Sequence, residues 1–357
     1  MIKQYTLACF CVMTFNLPIV YAQIGGNSTY EFLRIPQSAR ITGLGGSAVA
    51  VVDNDINLAY HNPAILNPLM HGQLSFQQST YFAGSTHGYL AYGHRIGNLP
   101  LTAQAGIQYI SYGKFTQTLD NGTPVGDFKA SELAINLGMA YQPTQRLSLG
   151  ANLKTILSYI ESYNSVGMAA DIGAVYNDTA KNITIGLTFQ NIGSQFSTYN
   201  RDGNFERLPF NIQFGISHRL RYLPLRFGVI THNLQRWGIL YDDPNQQNQG
   251  VLVDPNNPPQ EKTTAKFFDN MFSHLIFNLE FLIGKRNKEV LFLRVGYNHH
   301  RRRELSVQGL MGVSGFSTGL GIRIRNFRID YGLGSYHFAG AVHHFGLSVS
   351  ISEFKRT

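Results

Sequence analysis

Phe327-Arg328-Ile329-Asp330-Tyr331-Gly332-Leu333-Gly334 places an apolar side chain at every odd position and a charged or tiny residue at every even one. Successive side chains of a strand point to opposite faces, so this stretch has one greasy face and one polar face. A helix would repeat its apolar positions every three or four residues, and this stretch does not.

The pattern recurs in both directions. Phe345, Leu347, Val349 and Ile351 oppose Gly346, Ser348 and Ser350; Leu133, Ile135, Leu137, Met139 and Tyr141 oppose Asn136, Gly138 and Gln142. Leu147, Leu149, Ala151 and Leu153 oppose Ser148, Gly150, Asn152 and Lys154, and Ile183, Ile185, Leu187 and Phe189 oppose Thr184, Gly186, Thr188 and Gln190. Each run has about the nine to eleven residues that a tilted strand needs to cross a bilayer. About fourteen such segments are predicted, starting near Gly72, Thr86, Pro100, Ser131, Leu147, Val166, Asn182, Leu208, Leu225, His274, Glu289, Gly315, Phe327 and Val342. An even number suits a closed bacterial up-and-down barrel.

The connections alternate as well. Gly97 to Pro100, Pro143 to Arg146, Asn177 to Lys181, Arg221 to Pro224, Gly284 to Lys288 and Arg325 to Asn326 are tight. The intervening ones vary, with Tyr112 to Ala130, Asn191 to Arg207, Asn298 to Ser314 and a Pro/Asn/Gln-rich excursion from Leu234 to about Asp269 expected as loops. Short periplasmic turns on one rim and longer extracellular loops on the other produce this segregation, which a soluble β-sandwich does not require.

Composition agrees. Of 357 residues 43% are hydrophobic and 14% charged, yet the mean hydropathy is -0.11, so apolar residues are spread thinly. The 36 Gly, 19 Tyr and 24 Phe suit short strands and tight turns. Lys3, the mostly apolar stretch from Tyr5 to Tyr21 and the Val20-Tyr21-Ala22 ending read as a secretory signal over residues 1–22; Asn16 and Pro18 argue against an uncleaved membrane helix. Both cysteines, Cys9 and Cys11, lie in that signal, so disulfides, thiol catalysis and cysteine metal sites are not expected in the mature chain. The formal charge is +8, or +7 once Lys3 is removed. For an exported chain, anionic lipid or lipopolysaccharide is the expected counterpart of that charge, and nucleic acid is not.

The apolar faces carry no charge over the runs quoted, as lipid contact demands. Lys154, Asp171, Glu280, Arg294, Arg323, Arg328 and Asp330 fall on the other face, which must be wet or internally paired. Inward Gly138, Gly150, Gly186, Gly332 and Gly346 leave room inside a barrel over residues 71–357 for the segment 23–70.

That segment lacks clean alternation. Gly43-Leu44-Gly45-Gly46 reads as a tight bend, since no strand and helix flank it as in a phosphate loop. Asp53-Asn54-Asp55 reads as a turn, because the later glutamate of a calcium loop is missing. Ser38-Ala39-Arg40, Leu44-Gly45-Gly46, Asp53, Asp55 and Tyr60-His61-Asn62-Pro63-Ala64, in that order before fourteen strands, resemble the PorV/PorQ family of FadL-like outer-membrane barrels. Gln23-Ile24-Gly25-Gly26 and Tyr30-Glu31-Phe32-Leu33 are similar to the PorQ branch in particular. The resemblance implies a hatch folded into the lumen, with Ser38, Arg40, Gly45, Gly46, Asp55, Asn62, Pro63 and Ala64 as its structural motif. It also implies a component of the type IX secretion system in a Bacteroidetes-type Gram-negative outer membrane, a surface attachment complex with PorU, PorV and PorZ, no cofactor and no enzymatic activity. Asn62 and Asp55 are expected to hydrogen-bond the polar inner wall, with Pro63 fixing a turn.

No catalytic constellation is found. His299 and His300 in one loop, and His337, His343 and His344 in another, would make a metal site only if the loops converged. Arg301-Arg302-Arg303 are candidates for lipopolysaccharide phosphates or an acidic partner, against the plainer reading of a solvated loop. Trp237 and Tyr241, with Phe267, Phe268 and Phe272, are candidates for an interfacial aromatic belt or a partner contact. The rival to the secretion reading is a FadL-like transporter of hydrophobic small molecules, which would need an apolar pocket beneath the hatch.

Overall fold

The computed structural model describes residues 28–200, 203–240, 263–285, 288–305, 313–337 and 340–354. The signal, both cysteines, Tyr241 and most of the Pro/Asn/Gln-rich excursion lie outside them, as do the side chains of His337 and Phe354.

Fourteen strands among the described residues close into one antiparallel barrel. They are β1 Gln73–Thr80, β2 Thr86–Arg95, β3 Leu101–Thr118, β4 Pro124–Tyr141, β5 Leu147–Ile160, β6 Tyr163–Asp178 and β7 Ile183–Ser197. There follow β8 Asn211–Arg219, β9 Leu225–Thr231, β10 Leu275–Lys285, β11 Lys288–Asn298, β12 Phe316–Ile324, β13 Phe327–His337 and β14 Gly340–Ser350. Each strand pairs with its sequence neighbours, and β1 closes on β14 with Phe76 opposite Leu347 and Gln77 opposite Gly346. Closure leaves no unpaired strand edge for hydrocarbon to meet, where each bare N–H or C=O would cost several kcal/mol.

The alternation resolves into outside and inside. Leu137, Ile172, Ile329 and Phe345 are exposed on the exterior, while Asn136, Lys154, Asp171 and Asp330 are buried inside. An exposed face this apolar requires acyl chains as its solvent. No helix among the described residues is long and apolar enough to cross a membrane.

The tight connections fall on one rim, as at Arg325-Asn326, where Arg325 takes a left-handed φ of 52°. The other rim differs from expectation. Residues 112–130 are not a loop: β3 and β4 continue through them as a hairpin that turns only at 119–123. Lys114, Thr116 and Gln117 face Lys129, Asp127 and Gly126 there, so neither face is continuously apolar and the strand signal vanishes although the ladder continues. The excursion after Leu234 likewise contains a helix, α2 Thr263–Ser273 in the labelling that counts Ala39–Gly43 as α1. The segment starting near Leu208 becomes a strand only at Asn211, whereas that starting near Val166 already pairs at Tyr163.

Candidate functional site

Residues 29–72 occupy the lumen as short 3₁₀ turns and α1, too irregular to satisfy their own backbone. Buried N–H and C=O groups must be paired, and the wall supplies the partners. Gln77 Oε1 accepts from the Ala39 N–H at 3.1 Å and Gln73 Oε1 from the Ile56 N–H at 2.7 Å. Gln108 donates to the Phe32 carbonyl at 2.8 Å, Gln190 to that of His61 at 2.6 Å and Ser217 to that of Ala50 at 2.5 Å. This explains why the inward face is rich in amides and hydroxyls: it serves a coil, which a purely apolar wall could not.

Inward glycines decide how closely the plug approaches. A Cβ on Gly150 would lie 2.4 Å from the Ala64 nitrogen, one on Gly173 2.0 Å from the Asn62 Oδ1, and one on Gly332 2.3 Å from the Ala39 carbonyl oxygen. The Asn62-Pro63-Ala64 element sits in the groove left by Gly150 and Gly173. Asn62 Oδ1 accepts from the Ala64 N–H at 3.1 Å and its amide donates to the Val49 carbonyl at 2.9 Å, while Pro63 begins a 3₁₀ turn. Asn62 therefore bonds within the plug and not to the wall, correcting that expectation; its side chain fixes the turn that Pro63 starts. Ser38 caps α1, accepting from the Ile41 N–H, and Gly45 and Gly46 follow it at φ of 92° and 95°. The bend expected there is thus a left-handed helix exit.

Arg40 organises the half of the lumen nearer the tight-turn rim. Its guanidinium reaches Asp53 at 2.6 Å, Asp55 at 3.1 Å and Glu280 of β10 at 3.0 Å. Arg226 of β9 meets the same Glu280 at 2.9 Å and Asp53 at 3.3 Å. Arg294 of β11 bridges Glu280 and Asp330, each at 2.8 Å, and Arg328 of β13 joins Asp330 at 2.7 Å to Asp55 at 3.4 Å. Four guanidinium groups thus meet four carboxylates, which leaves the network neutral, as burial requires. Burial alone would raise the Asp53 carboxyl, but Arg40, with Arg226 and Arg328, holds it well below the ordinary carboxylate range. Asp53-Asn54-Asp55 is therefore more than a turn, and Arg226 was missed in the sequence. The available signal was the set of inward charges of both signs on neighbouring strands.

A second buried pair lies across the lumen. Lys154 of β5 reaches Asp171 of β6 at 2.8 Å and sits 4.2 Å from the Tyr60 ring centroid. Asp171 also accepts from the Asn191 N–H at 2.8 Å, where β7 inserts a residue and Asn191 turns to φ 56°. Beside it His61 is buried, and burial, with the Lys154 and Arg301 charges, pushes its imidazole down to about 3. Towards the loop rim Tyr30, Phe32 and Leu33 pack on Ile110, Ala134, Ile156 and Ala169. With Arg40, Ile41, Leu58 and Ile65 at most 1% exposed, the middle of the lumen is packed solid.

The loop residues do not assemble into one site. His344 faces Thr42 inside at 3.0 Å and His343 faces the Tyr331 hydroxyl, whereas His299 meets Asp269 at 3.2 Å and His300 the Ile239 carbonyl. Among the described residues no three metal-ligating side chains gather. Arg301 turns inward, 3.9 Å from the Tyr336 ring centroid and 3.4 Å from the Gly45 carbonyl, which removes it from the proposed surface patch. Arg303 is half exposed and pairs with Asp269 at 2.8 Å. Arg302 packs against Gly315, where a Cβ would come within 2.9 Å of its own. Trp237 stacks on His274 and contacts Phe267, and these rings, with exposed Phe268 and Phe272 of α2, lie in the connection from β9 to β10.

Comparison with known proteins gives the architecture a context. The model of an uncharacterised protein family (UPF0164) matches residues 20–207. Among solved structures, a deletion mutant of the TodX monoaromatic hydrocarbon channel superposes with a TM-score of 0.52 at 13% identity, covering 88% of this chain and 97% of its own. The toluene transporter TbuX of Ralstonia pickettii gives 0.50 at 13%, covering 89% and 97%. A FadL homologue of Pseudomonas aeruginosa gives 0.47 at 10%, covering 88% and 98%. No curated protein sequence matches the chain. The fold is the FadL-like fourteen-stranded barrel, and it matches outer-membrane proteins of Gram-negative bacteria.

Proposed function

This chain belongs to the uncharacterised protein family UPF0164, and we propose that it is a non-catalytic, PorQ-like outer-membrane component of a type IX secretion system. In this reading the chain sits in a Bacteroidetes-type outer membrane after removal of residues 1–22. It anchors a surface attachment complex through its uneven rim, which faces outward, with PorU-, PorV- and PorZ-like proteins as partners and lipopolysaccharide as its surroundings. The observation that carries the reading is the packed lumen. A wall that spends its inward charges and amides on holding a plug serves as a platform more readily than as a pore. The ordered motif from Ser38 to Ala64 supports the same reading, since most of its members have a structural task in that plug: Ser38 caps, Arg40 and Asp55 pair, and Asn62 and Pro63 turn.

Affinity purification from the outer membrane, with identification of co-purifying proteins, tests it. Removal of residues 243–260 should release the partner while the barrel remains heat-modifiable on a gel. Unchanged co-purification, or recovery of no secretion component with the intact chain, would count decisively against this function.

A second reading, transport of hydrophobic small molecules, is favoured by one feature. An apolar cavity of about 380 Å³ opens at the loop rim beside Tyr112, Phe115 and Phe128. Against it stands the neutral salt network across the lower lumen, which any through-path must break.

A further inference from the structure

The cavity at the loop rim has one feature that an apolar solute does not call for. Its lining is Tyr112, Phe115, Phe128, Ala130, Ile160 and Glu132. A β-bulge builds it. Ser111 pairs with Ser131 and Lys114 with Lys129, so Tyr112 and Gly113 together stand opposite Ala130. The extra residue reverses the parity of β3. Below the bulge the even positions Gln104, Gln108 and Ile110 face inward; above it Phe115 pairs with inward Phe128, and Lys114 is turned out. Gly113 permits the bulge at φ 86°, with its neighbour's carbonyl accepting from Ser85. The two phenyl rings stack at 5.2 Å over the cavity.

Glu132 is 5% exposed. Its Oε2 accepts from the Tyr112 hydroxyl at 2.5 Å, and Tyr112 packs against the apolar cluster that joins plug and wall towards this rim. Among the described residues no lysine or arginine lies within ion-pair distance of this carboxylate, and the charge that bears on it is another acid, Glu31. Every other buried carboxylate of the lumen described above has a cation; this one has only neutral partners, the Tyr112 and Ser158 hydroxyls, and borders an open cavity. A carboxylate beneath aromatic faces is the arrangement that recognises an organic cation, because the ring faces are negative and the bulk is apolar. The volume falls in the range of small-molecule sites.

We propose that this cavity is a binding site for a small aromatic or alkyl ammonium ion, its charged nitrogen over Glu132 and against the rings of Tyr112, Phe115 and Phe128, and its apolar body along Ala130 and Ile160. The site is independent of the secretion reading and of transport through the lumen.

The full chain in amphipol, titrated with benzyltrimethylammonium and separately with benzyl alcohol and followed by saturation-transfer NMR, tests it. The cation should bind saturably and more tightly than the alcohol. Glu132→Gln should weaken the cation by about tenfold or more and leave the alcohol unchanged. Phe115→Leu keeps the cavity apolar but removes a ring face, and should weaken the cation severalfold with little effect on the alcohol. Heat-modifiability shows that each variant is folded, and Phe115→Leu carries the test if Glu132→Gln does not fold. Equal binding of the two probes, no saturable binding of the cation, or cation affinity indifferent to both substitutions would overturn the assignment.

Discussion

Arg40 of the plug and Glu280 of β10 stand 240 positions apart in sequence and 3.0 Å apart in the lumen. Because Arg40 also holds Asp53 and Asp55, this one side chain ties the segment before the barrel to its wall.

Arg40→Met should cost about 3–5 kcal/mol, since it leaves carboxylates buried beside too few cations. The temperature at which the barrel loses its compact gel mobility should fall, and ion conductance in planar bilayers should rise as the plug loosens. A variant as stable and as silent as the parent would remove the network from its assigned role.

Gly150→Val tests the groove that holds Asn62-Pro63-Ala64. The new side chain meets backbone 2.4 Å away and cannot be accommodated by a rotamer change. The barrel should still assemble, because the wall's ladder is untouched, but residues 28–72 should become open to added protease. Protection equal to the parent's would mean that the plug does not depend on this contact.

Acid should loosen the plug in two steps. His61 in the folded chain is pushed down to about 3, first by burial and then by Lys154 and Arg301. The unfolded chain therefore binds the proton first, and the stability present above about pH 6.5 is lost as pH falls towards 3. Asp53 is held below its ordinary value despite burial, so its contribution is present above about pH 4 and lost further down. His61→Phe should flatten the first step and leave the second, as followed by protease protection between pH 7 and 3. An unaltered profile in that variant would show that His61 does not drive it.

Leu137→Arg should lower the folding stability in lipid vesicles by roughly 2–4 kcal/mol if this face meets acyl chains. Leu119→Arg, equally exposed but at the hairpin tip, should change it by no more than about 0.5 kcal/mol. Urea titration of both compares the depths. Similar small effects would place both positions in water.

Much of the wall was legible because period 2 has one cause, a boundary between two environments along every strand. Most of the fourteen starting points agree with the observed strands to within a residue or two, and Leu137 and Asn136 were assigned to opposite faces. The signal failed where the boundary ended. Past the bulge at Ser111 the hairpin has no lipid to match, so Lys114 and Lys129 gave no alternation and 112–130 read as a loop. In the plug, Ser38, Arg40 and Pro63 were picked out as members of a motif, but neither the partners of Arg40 nor the internal bonding of Asn62 was visible, since the contacts cross the whole length of the chain.

By itself the sequence determined the two-faced strands, their even number and the polarity of the interior, because those are local consequences of side-chain alternation. The tertiary structure alone decided that the inward charges neutralise one another and that the glycines of the wall admit a plug. It also left one carboxylate, Glu132, facing a cavity without a cation. These depend on which residues meet across the lumen, and closure of the barrel, not spacing along the chain, brings them together.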